Sequence, residues 1–217
     1  MKTTRLRHAR IELALHELRP GTGRALLLLH GLGERSPSAL PAFAESWPGS
    51  VFALDFSGHG ESGCSVGGGY TAEVLMGDAD TALRLLADAT LLGRGLGAYV
   101  ALLLAGARPT HVRGAVLCDG LGLAGGGAEA ATPSVVFPNP HALAPPDPFA
   151  LVELARDVRP PDYATAFVRQ ANELSGLERP FSVCCAEKPD WLEAVLREPG
   201  VQSASIEDAL AYYAKRG

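Results

Sequence analysis

The apolar residues of this chain fall into short unbroken runs that alternate with longer periodic stretches. Three of the short runs occupy residues 25–31, 51–55 and 89–93. Runs this short and this apolar are typical of strands that are covered on both faces, as in a parallel sheet with helices on each side. Between the second and third runs, apolar residues recur at helical spacing over 75–86, and Thr71 stands where a helix N-cap is expected.

The following stretches continue the alternation of strand and helix. The segment from Leu96 to about Ala107 is apolar nearly all round, which predicts a buried helix, and residues 112–118 follow as another strand. At the start of the chain, residues 4–18 alternate loosely between apolar and polar and lead to a turn at 20–23, which favours a short antiparallel entry to the sheet. Repeated βαβ units predict a mostly parallel α/β sheet flanked by helices, with right-handed crossovers.

The alternation stops after the strand at 112–118. Residues 121–148 combine three consecutive glycines with six prolines, which exclude a long helix or a regular strand. A loop of this length is more often a lid or a binding excursion than an idle linker. We therefore interpret the whole chain, 1–217, as a single domain with a proline-rich lid or cap at about 121–178. Two cap helices are predicted within it, at about 149–156 and 162–175.

The sheet is expected to resume beyond this excursion. Residues 181–186 form another apolar run, and 201–206 are interpreted as a last strand. Ser205 and Asp208 have the spacing of a capping box, so a terminal helix is predicted to begin there.

Length and charge restrict the classes of function. A chain of 217 residues suits one domain with a substantial core. It has 19 basic and 24 acidic residues, for a formal charge of −5, and no Lys/Arg cluster forms a stripe, which argues against nucleic acid as a partner. No apolar run has the length of a signal-peptide core or a membrane span, so we expect a cytoplasmic protein without membrane contact.

The four cysteines are Cys64, Cys118, Cys184 and Cys185. They lack the spacing of metal ligands, and the adjacent pair should point to opposite faces of a strand. We interpret them as reduced thiols and predict neither a metal nor a cofactor.

Three glycine-containing motifs stand in register along the first half of the chain. Residues 91–97 read LLGRGLG between a predicted strand and helix, residues 30–31 read HG after an apolar run, and residues 55–62 read DFSGHGES. In this order and spacing they resemble the α/β-hydrolase family, and the likeness covers nearly the whole chain. The resemblance implies that the backbone N–H groups of Leu32 and Leu96 stand where the family has its oxyanion-hole donors.

The family's nucleophile is missing from its position. A serine stands at the centre of the family's G-x-S-x-G turn, but this chain has Gly95 there, which offers no side-chain atom to attack a carbonyl and relaxes the strained backbone. The family's histidine follows the last strand, but no histidine lies in the final third of this chain. Glu187 and Asp190, near the place of the family acid, are interpreted as solvated carboxylates. The resemblance therefore predicts a member that has lost hydrolytic catalysis, since the reaction needs all three groups.

Four residues near these motifs are candidates for the wall of a pocket. Arg94 adjoins the nucleophile position and, with the N–H groups at the start of the next helix, has the chemistry to hold an anion. The alternative is a structural or solvent-facing arginine. His30, Ser57 and His59 belong to loops that line the usual site of the family, where such residues mostly brace the loops.

Three functions of different classes are consistent with these residues. The first is a binding module that keeps the hydrolase pocket for a small apolar or acyl-like ligand. The second is a hydrolase of ester or thioester bonds whose catalytic groups are displaced. The third is a non-catalytic partner of an active relative, in a homo- or hetero-oligomer. The sequence does not choose between the first and the third.

Overall fold

The computed structural model describes residues 2–126 and 144–215, which contain one sheet of eight strands. The strands are β1 (Lys2–His8), β2 (Ile11–Arg19), β3 (Ala25–Leu29), β4 (Val51–Asp55), β5 (Ala89–Arg94), β6 (Val112–Cys118), β7 (Phe181–Cys184) and β8 (Val201–Ser203). Their order in the sheet is β1-β2-β4-β3-β5-β6-β7-β8. Strand β2 runs antiparallel to β1 and β4, whereas β3 to β8 are parallel. The mostly parallel sheet with an antiparallel entry is therefore confirmed.

Helices cover both faces of this sheet. The helices are α1 (Ala72–Leu86), α2 (Leu96–Ala107), α3 (Pro148–Arg156), α4 (Pro161–Leu174), α5 (Asp190–Val195) and α6 (Ile206–Ala214), and a single 3₁₀ turn spans Ala42–Ala44. Apolar residues of α1 to α5 share the larger core cluster on one face. Residues of α6 share the smaller cluster on the other face. The flanking layers predicted from the sequence are thus present.

Strand β3 shows why the central runs are apolar without interruption. All five of its residues are buried. Leu27 and Leu29 belong to the larger core cluster, and Leu26 and Leu28 belong to the cluster that contains α6. Because successive side chains of a strand point to opposite faces, a strand covered on both sides needs apolar residues at every position.

Two helix starts predicted from capping signals are confirmed. The Thr71 side chain accepts a hydrogen bond from the Val74 N–H at 3.3 Å and begins α1. The Ser205 hydroxyl accepts one from the Asp208 N–H at 3.1 Å and begins α6. In both cases a side-chain oxygen satisfies an N–H that the first turn of a helix leaves without a partner.

The excursion after β6 contains the two predicted helices, α3 and α4. Helix α4 packs against α2 and α5, so its buried face belongs to the helical layer beside the sheet. Residues 127–143 lie outside the described residues, so the lid at about 121–178 stays a prediction. Helix α5 was not expected from the sequence, because it has only six residues and follows a segment that reads as a loop.

Two general features concern residues 2–126 and 144–215 alone. No helix there combines the length and the apolarity that a membrane crossing requires. No three His, Cys, Asp or Glu side chains are grouped there as ligands of a metal ion would be.

The adjacent cysteines Cys184 and Cys185 contact the core clusters on opposite faces of the sheet, as their adjacent positions predicted.

Candidate functional site

The turn between β5 and α2 has the backbone geometry of a nucleophile elbow. Gly95 lies at its tip with φ 56° and ψ −118°, a region that glycine enters without steric cost. On either side the strand and the helix approach closely. A Cβ atom on Gly93 would lie 2.1 Å from the Gly97 carbonyl oxygen, and one on Gly97 would lie 2.4 Å from that of Leu29. The flanking glycines are therefore required by backbone packing.

The two backbone donors expected from the sequence converge on one oxygen atom. The N–H groups of Leu32 and Leu96 both donate to the carbonyl oxygen of Leu121, each at 2.9 Å. In an oxyanion hole, two such donors bind the oxygen of the reacting carbonyl. Here a carbonyl group of the chain itself accepts both hydrogen bonds.

The loop that supplies this carbonyl also fills the space above Gly95. A Cβ atom on Gly95 would lie 2.1 Å from the Leu121 oxygen and 2.5 Å from the carbonyl carbon of Gly120. The loop fits closely on its other side as well, since a Cβ on Gly122 would lie 2.7 Å from the Leu32 Cβ. Any side chain at position 95, including a serine, would therefore require the loop to move. Leu121 was not among the residues predicted from the sequence, although the glycines on both sides of it were a signal.

His30 has both ring nitrogens occupied. Its Nε2 atom accepts a hydrogen bond from the Phe56 N–H at 3.1 Å, so the proton is assigned to Nδ1, which lies 2.7 Å from the Gly31 carbonyl oxygen. Burial, followed by the neighbouring His59, lowers the pKa of His30 to about 4. The imidazole is thus neutral at pH 7 and links the loop after β3 to the end of β4.

Ser57 and His59 are fully buried in the loop after β4. The Ser57 hydroxyl and N–H both donate to one carboxylate oxygen of Asp78, at 2.7 and 2.9 Å. The Nδ1 atom of His59 lies 3.1 Å from the Ser57 carbonyl oxygen, and burial lowers the pKa of this histidine. Neither residue lines the two cavities described below.

Two buried aspartates organise this region. Asp55 accepts hydrogen bonds from the N–H groups of Ser36 and Glu61, each at 2.7 Å. Asp78 accepts from Ser57 and also lies 2.7 Å from the Nδ1 atom of His8. Asp78 was not among the residues predicted from the sequence, although an aspartate on the apolar face of α1 was a signal of a buried polar contact.

One hydroxyl–imidazole–carboxylate chain exists elsewhere in the described residues. The Thr3 hydroxyl lies 2.9 Å from His16 Nδ1, and His16 Nε2 lies 3.1 Å from an Asp55 oxygen. His16 lies on β2, and strands β4 and β3 separate β2 from β5, so β2 is about 14 Å across the sheet from the strand that ends at the elbow.

The surroundings of Arg94 differ from the anion site considered from the sequence. The Leu96 N–H is already bonded to Leu121, so the start of α2 offers less to an anion. The Arg94 guanidinium is half exposed and lies 3.8 Å from Glu34 Oε1. The other oxygen of Glu34 accepts a hydrogen bond from the Gly31 N–H at 3.0 Å.

The carboxylates that follow β6 and β7 bind backbone N–H groups or face the solvent. Asp119 accepts hydrogen bonds from the N–H groups of Ala186 and Glu187, at 2.7 and 3.2 Å. The side chains of Glu187 and Asp190 are exposed. Within 2–126 and 144–215, no histidine ring nitrogen is hydrogen-bonded to any of these carboxylates, and His141 lies outside the described residues.

Two cavities adjoin the elbow. The first, of about 470 Å³, lies between β3, β5 and the loop after β3, and includes Leu28, Leu92 and Phe43 in its wall. The second is a cleft of about 740 Å³ whose wall includes residues 119–125 and Ala155. Arg94 and Glu34 line both. We refer to them below as the apolar cavity and the cleft.

The parallel sheet, the glycine elbow and the paired N–H donors define a protein of the hydrolase type of α/β fold. The model of the alpha/beta hydrolase family matches residues 26–213, and the chain belongs to this family. No curated protein matches the chain.

Solved structures agree with this assignment at the level of the fold. A thioesterase domain from the curacin biosynthetic pathway has a TM-score of 0.59 at 16% identity, over 100% of this chain and 98% of that chain. N-formylmaleamic acid deformylase from Pseudomonas putida gives 0.58 at 13% identity, over 95% and 93%. A bacterial membrane phospholipase A gives 0.54 at 17% identity, over 99% and 84%. Identities this low show a common fold and nothing more specific.

Proposed function

We propose that this chain is a non-catalytic member of the α/β hydrolase family that acts by binding a small apolar or acyl-like ligand. The observation that carries the proposal is the Leu121 carbonyl oxygen, which accepts hydrogen bonds from both Leu32 and Leu96. A substrate carbonyl would have to displace this oxygen before the two donors were available to it.

The chemistry of the elbow supports the first half of the proposal. Acyl transfer by this fold needs a nucleophile, a base that takes its proton and donors for the developing oxyanion. Gly95 supplies no nucleophile, and the nearby imidazole of His30 uses both nitrogens in contacts with the backbone. Losing one member of such a triad costs about 10⁴-fold or more in turnover, so losing several leaves little to measure.

The cavities support the second half of the proposal. Ligand sites for small molecules commonly enclose about 300–1,000 Å³ and combine an apolar wall with a few polar groups. The apolar cavity, at about 470 Å³, lies in this range and carries Arg94 in its wall. The structural neighbours are named as a thioesterase, a deformylase and a phospholipase, which suggests acyl compounds as the first ligands to test.

The test measures turnover and binding in parallel. The purified protein is incubated with a fluorophosphonate label, p-nitrophenyl butyrate and an acyl thioester, with an active esterase of the same fold as the positive control. We expect no covalent adduct and no hydrolysis above buffer, in the wild type and in Gly95→Ser alike. A thermal-shift screen of acids, esters and lactones should raise the unfolding temperature for some members.

Each half has a result that would contradict it. Covalent labelling or turnover by the wild type would favour a hydrolase with displaced catalytic groups. A screen in which no acid, ester or lactone binds would remove the case for a ligand-binding role.

A further inference from the structure

We infer that the apolar cavity binds a monocarboxylate with an apolar body, such as a medium-chain fatty acid, with Arg94 at the carboxylate. The inference rests on the proposed function and gives it a location, a ligand class and a recognition residue.

The apolar cavity is lined by residues of the sheet and of the segment after β3. From the end of β3 to the start of β4 the chain forms a loop whose only regular element is the 3₁₀ turn Ala42–Ala44. Pro37, Pro41 and Phe43 of this segment form one wall of the cavity, and Leu28 and Leu92 form the other. A wall of this composition favours a hydrocarbon over a polar ligand.

The apolar cavity is independent of the closed elbow. Leu28 and Leu92 belong to the core cluster that contains α6, whereas α2, which follows the elbow, belongs to the cluster on the opposite face. Leu121, Leu32 and Leu96 form the hydrogen bonds that close the elbow. None of these three residues lines the apolar cavity. A ligand can therefore enter while the oxyanion hole stays occupied by the chain.

The charged groups of the cavity favour an anion. Two guanidinium groups, of Arg35 and Arg94, line it together with one carboxylate, of Glu34. His30 also lines it but is neutral at pH 7, because burial lowers its pKa to about 4. The sum of these charges is positive, which favours a ligand with a single negative charge.

Arg94 is free to reorient toward such a ligand. Its side chain is 51% exposed, and its separation of 3.8 Å from Glu34 is longer than a direct hydrogen bond. Glu34 is held in place by the Gly31 N–H, so it does not need Arg94 as its only partner. The planar fork of a guanidinium matches the two oxygens of a carboxylate.

The binding experiment uses dansyl-undecanoic acid as a fluorescent probe, displaced by hexanoate, octanoate, decanoate and decan-1-ol. A hydrocarbon-lined cavity should raise affinity about fourfold per added methylene until it is full. Decanoate should bind about two- to fivefold more tightly than decan-1-ol, which has the same chain length without the charge.

Matched variants separate the apolar cavity from the cleft. Arg94→Gln should weaken the binding of decanoate about two- to fivefold and leave that of decan-1-ol unchanged. Pro37→Phe, in the wall of the apolar cavity alone, should weaken both ligands by more than tenfold. Ala155→Phe, in the wall of the cleft alone, and Arg84→Gln, a 72% exposed arginine elsewhere, should change neither.

The outcomes distinguish this inference from the proposed function. If Ala155→Phe abolishes binding and Pro37→Phe does not, the ligand occupies the cleft, and the inference is overturned while the proposed function stands. Equal binding of decanoate by wild type and Arg94→Gln overturns the role of Arg94. If neither the probe nor the competitors bind, the inference is overturned, and the screen of esters and lactones then decides the proposed function. Should Pro37→Phe not fold, Pro41→Phe tests the same wall.

Discussion

The elbow and the loop after β4 are two neighbouring regions that are held together by different means. At the elbow the contacts are between backbone atoms, with Gly95 beneath the Gly120–Leu121 peptide and the Leu121 oxygen bound by two N–H groups. In the loop after β4, backbone hydrogen bonds are joined by contacts of buried side chains, and the carboxylates of Asp55 and Asp78 each accept several hydrogen bonds there.

This difference shows which parts of a hydrolase motif serve the fold. The residues of the 55–62 motif have structural partners in this molecule. For example, Ser62 donates to the Asp55 carbonyl oxygen at 2.6 Å, and its hydroxyl accepts from the Ala14 N–H at 2.9 Å. The side chain of the serine expected at the elbow would collide with the loop that carries Leu121. The chain therefore keeps the motif residues that make structural contacts and lacks the serine that would act as the nucleophile.

The largest effect is expected for a side chain at the elbow. Gly95→Ala would place its Cβ 2.1 Å from the Leu121 oxygen and also impose a positive φ on alanine. Backbone strain and overpacking together should lower the free energy of unfolding by about 4 kcal/mol. Urea denaturation monitored by circular dichroism measures the loss.

Gly176→Ala is the matched control for this substitution. Gly176 has φ +67°, close to that of Gly95, but nothing lies within 4 Å of its added Cβ. The free energy of unfolding of this variant should fall only by the cost of the backbone strain, about 1 kcal/mol. Equal losses at the two positions would mean that the loop does not lie against Gly95.

The next largest effect concerns the side-chain region. Asp55→Asn should lower the free energy of unfolding by about 3 kcal/mol, because two backbone N–H groups and an imidazole lose a charged acceptor in a buried site. Asp190→Asn, at an exposed position, should change it by less than about 0.5 kcal/mol. A loss at position 55 no larger than at position 190 would contradict the structural role of the motif.

A third prediction concerns acid. Burial lowers the pKa of His30 to about 4, below the value of about 6.5 in the unfolded chain. Between these values the unfolded chain binds more protons, so the free energy of unfolding should fall by about 2 kcal/mol as the pH drops from 6.5 to 4.5. His30→Gln should be less stable at pH 7 but show a shallower decrease. An unchanged slope would show that His30 is accessible to protons in the fold.

The smallest expected effect is at His8, whose contribution to the free energy of unfolding changes with pH in the direction opposite to that of His30. The hydrogen bond that the His8 ring donates to Asp78 raises the pKa of His8, although burial opposes it. This contact stabilises the fold below the unfolded pKa of about 6.5 and is lost as the pH rises through the folded value. The stability difference between wild type and His8→Asn should shrink by less than about 1 kcal/mol between pH 6 and pH 9. A difference that grows with pH would contradict the assignment.

Much of the fold could be predicted because it depends on local patterns. A few adjacent residues are enough to predict each of these features: the apolar runs of β3 and β5, the helix cap at Thr71 and the glycines of the elbow. The closure of the elbow could not be predicted in this way, since it brings Leu121 to Leu32 and Leu96 from two other segments of the chain. Helix α5 was missed because six residues are too few for a periodic pattern.

The closure of the oxyanion hole by Leu121 can be measured directly by NMR. In protein labelled with ²H, ¹³C and ¹⁵N, a long-range HNCO experiment detects couplings across hydrogen bonds. The account predicts that the amide nitrogens of Leu32 and Leu96 both couple to the carbonyl carbon of Leu121, with slow hydrogen exchange at both amides. Absent couplings together with fast exchange at both amides would show that the two donors are open to solvent and contradict the account.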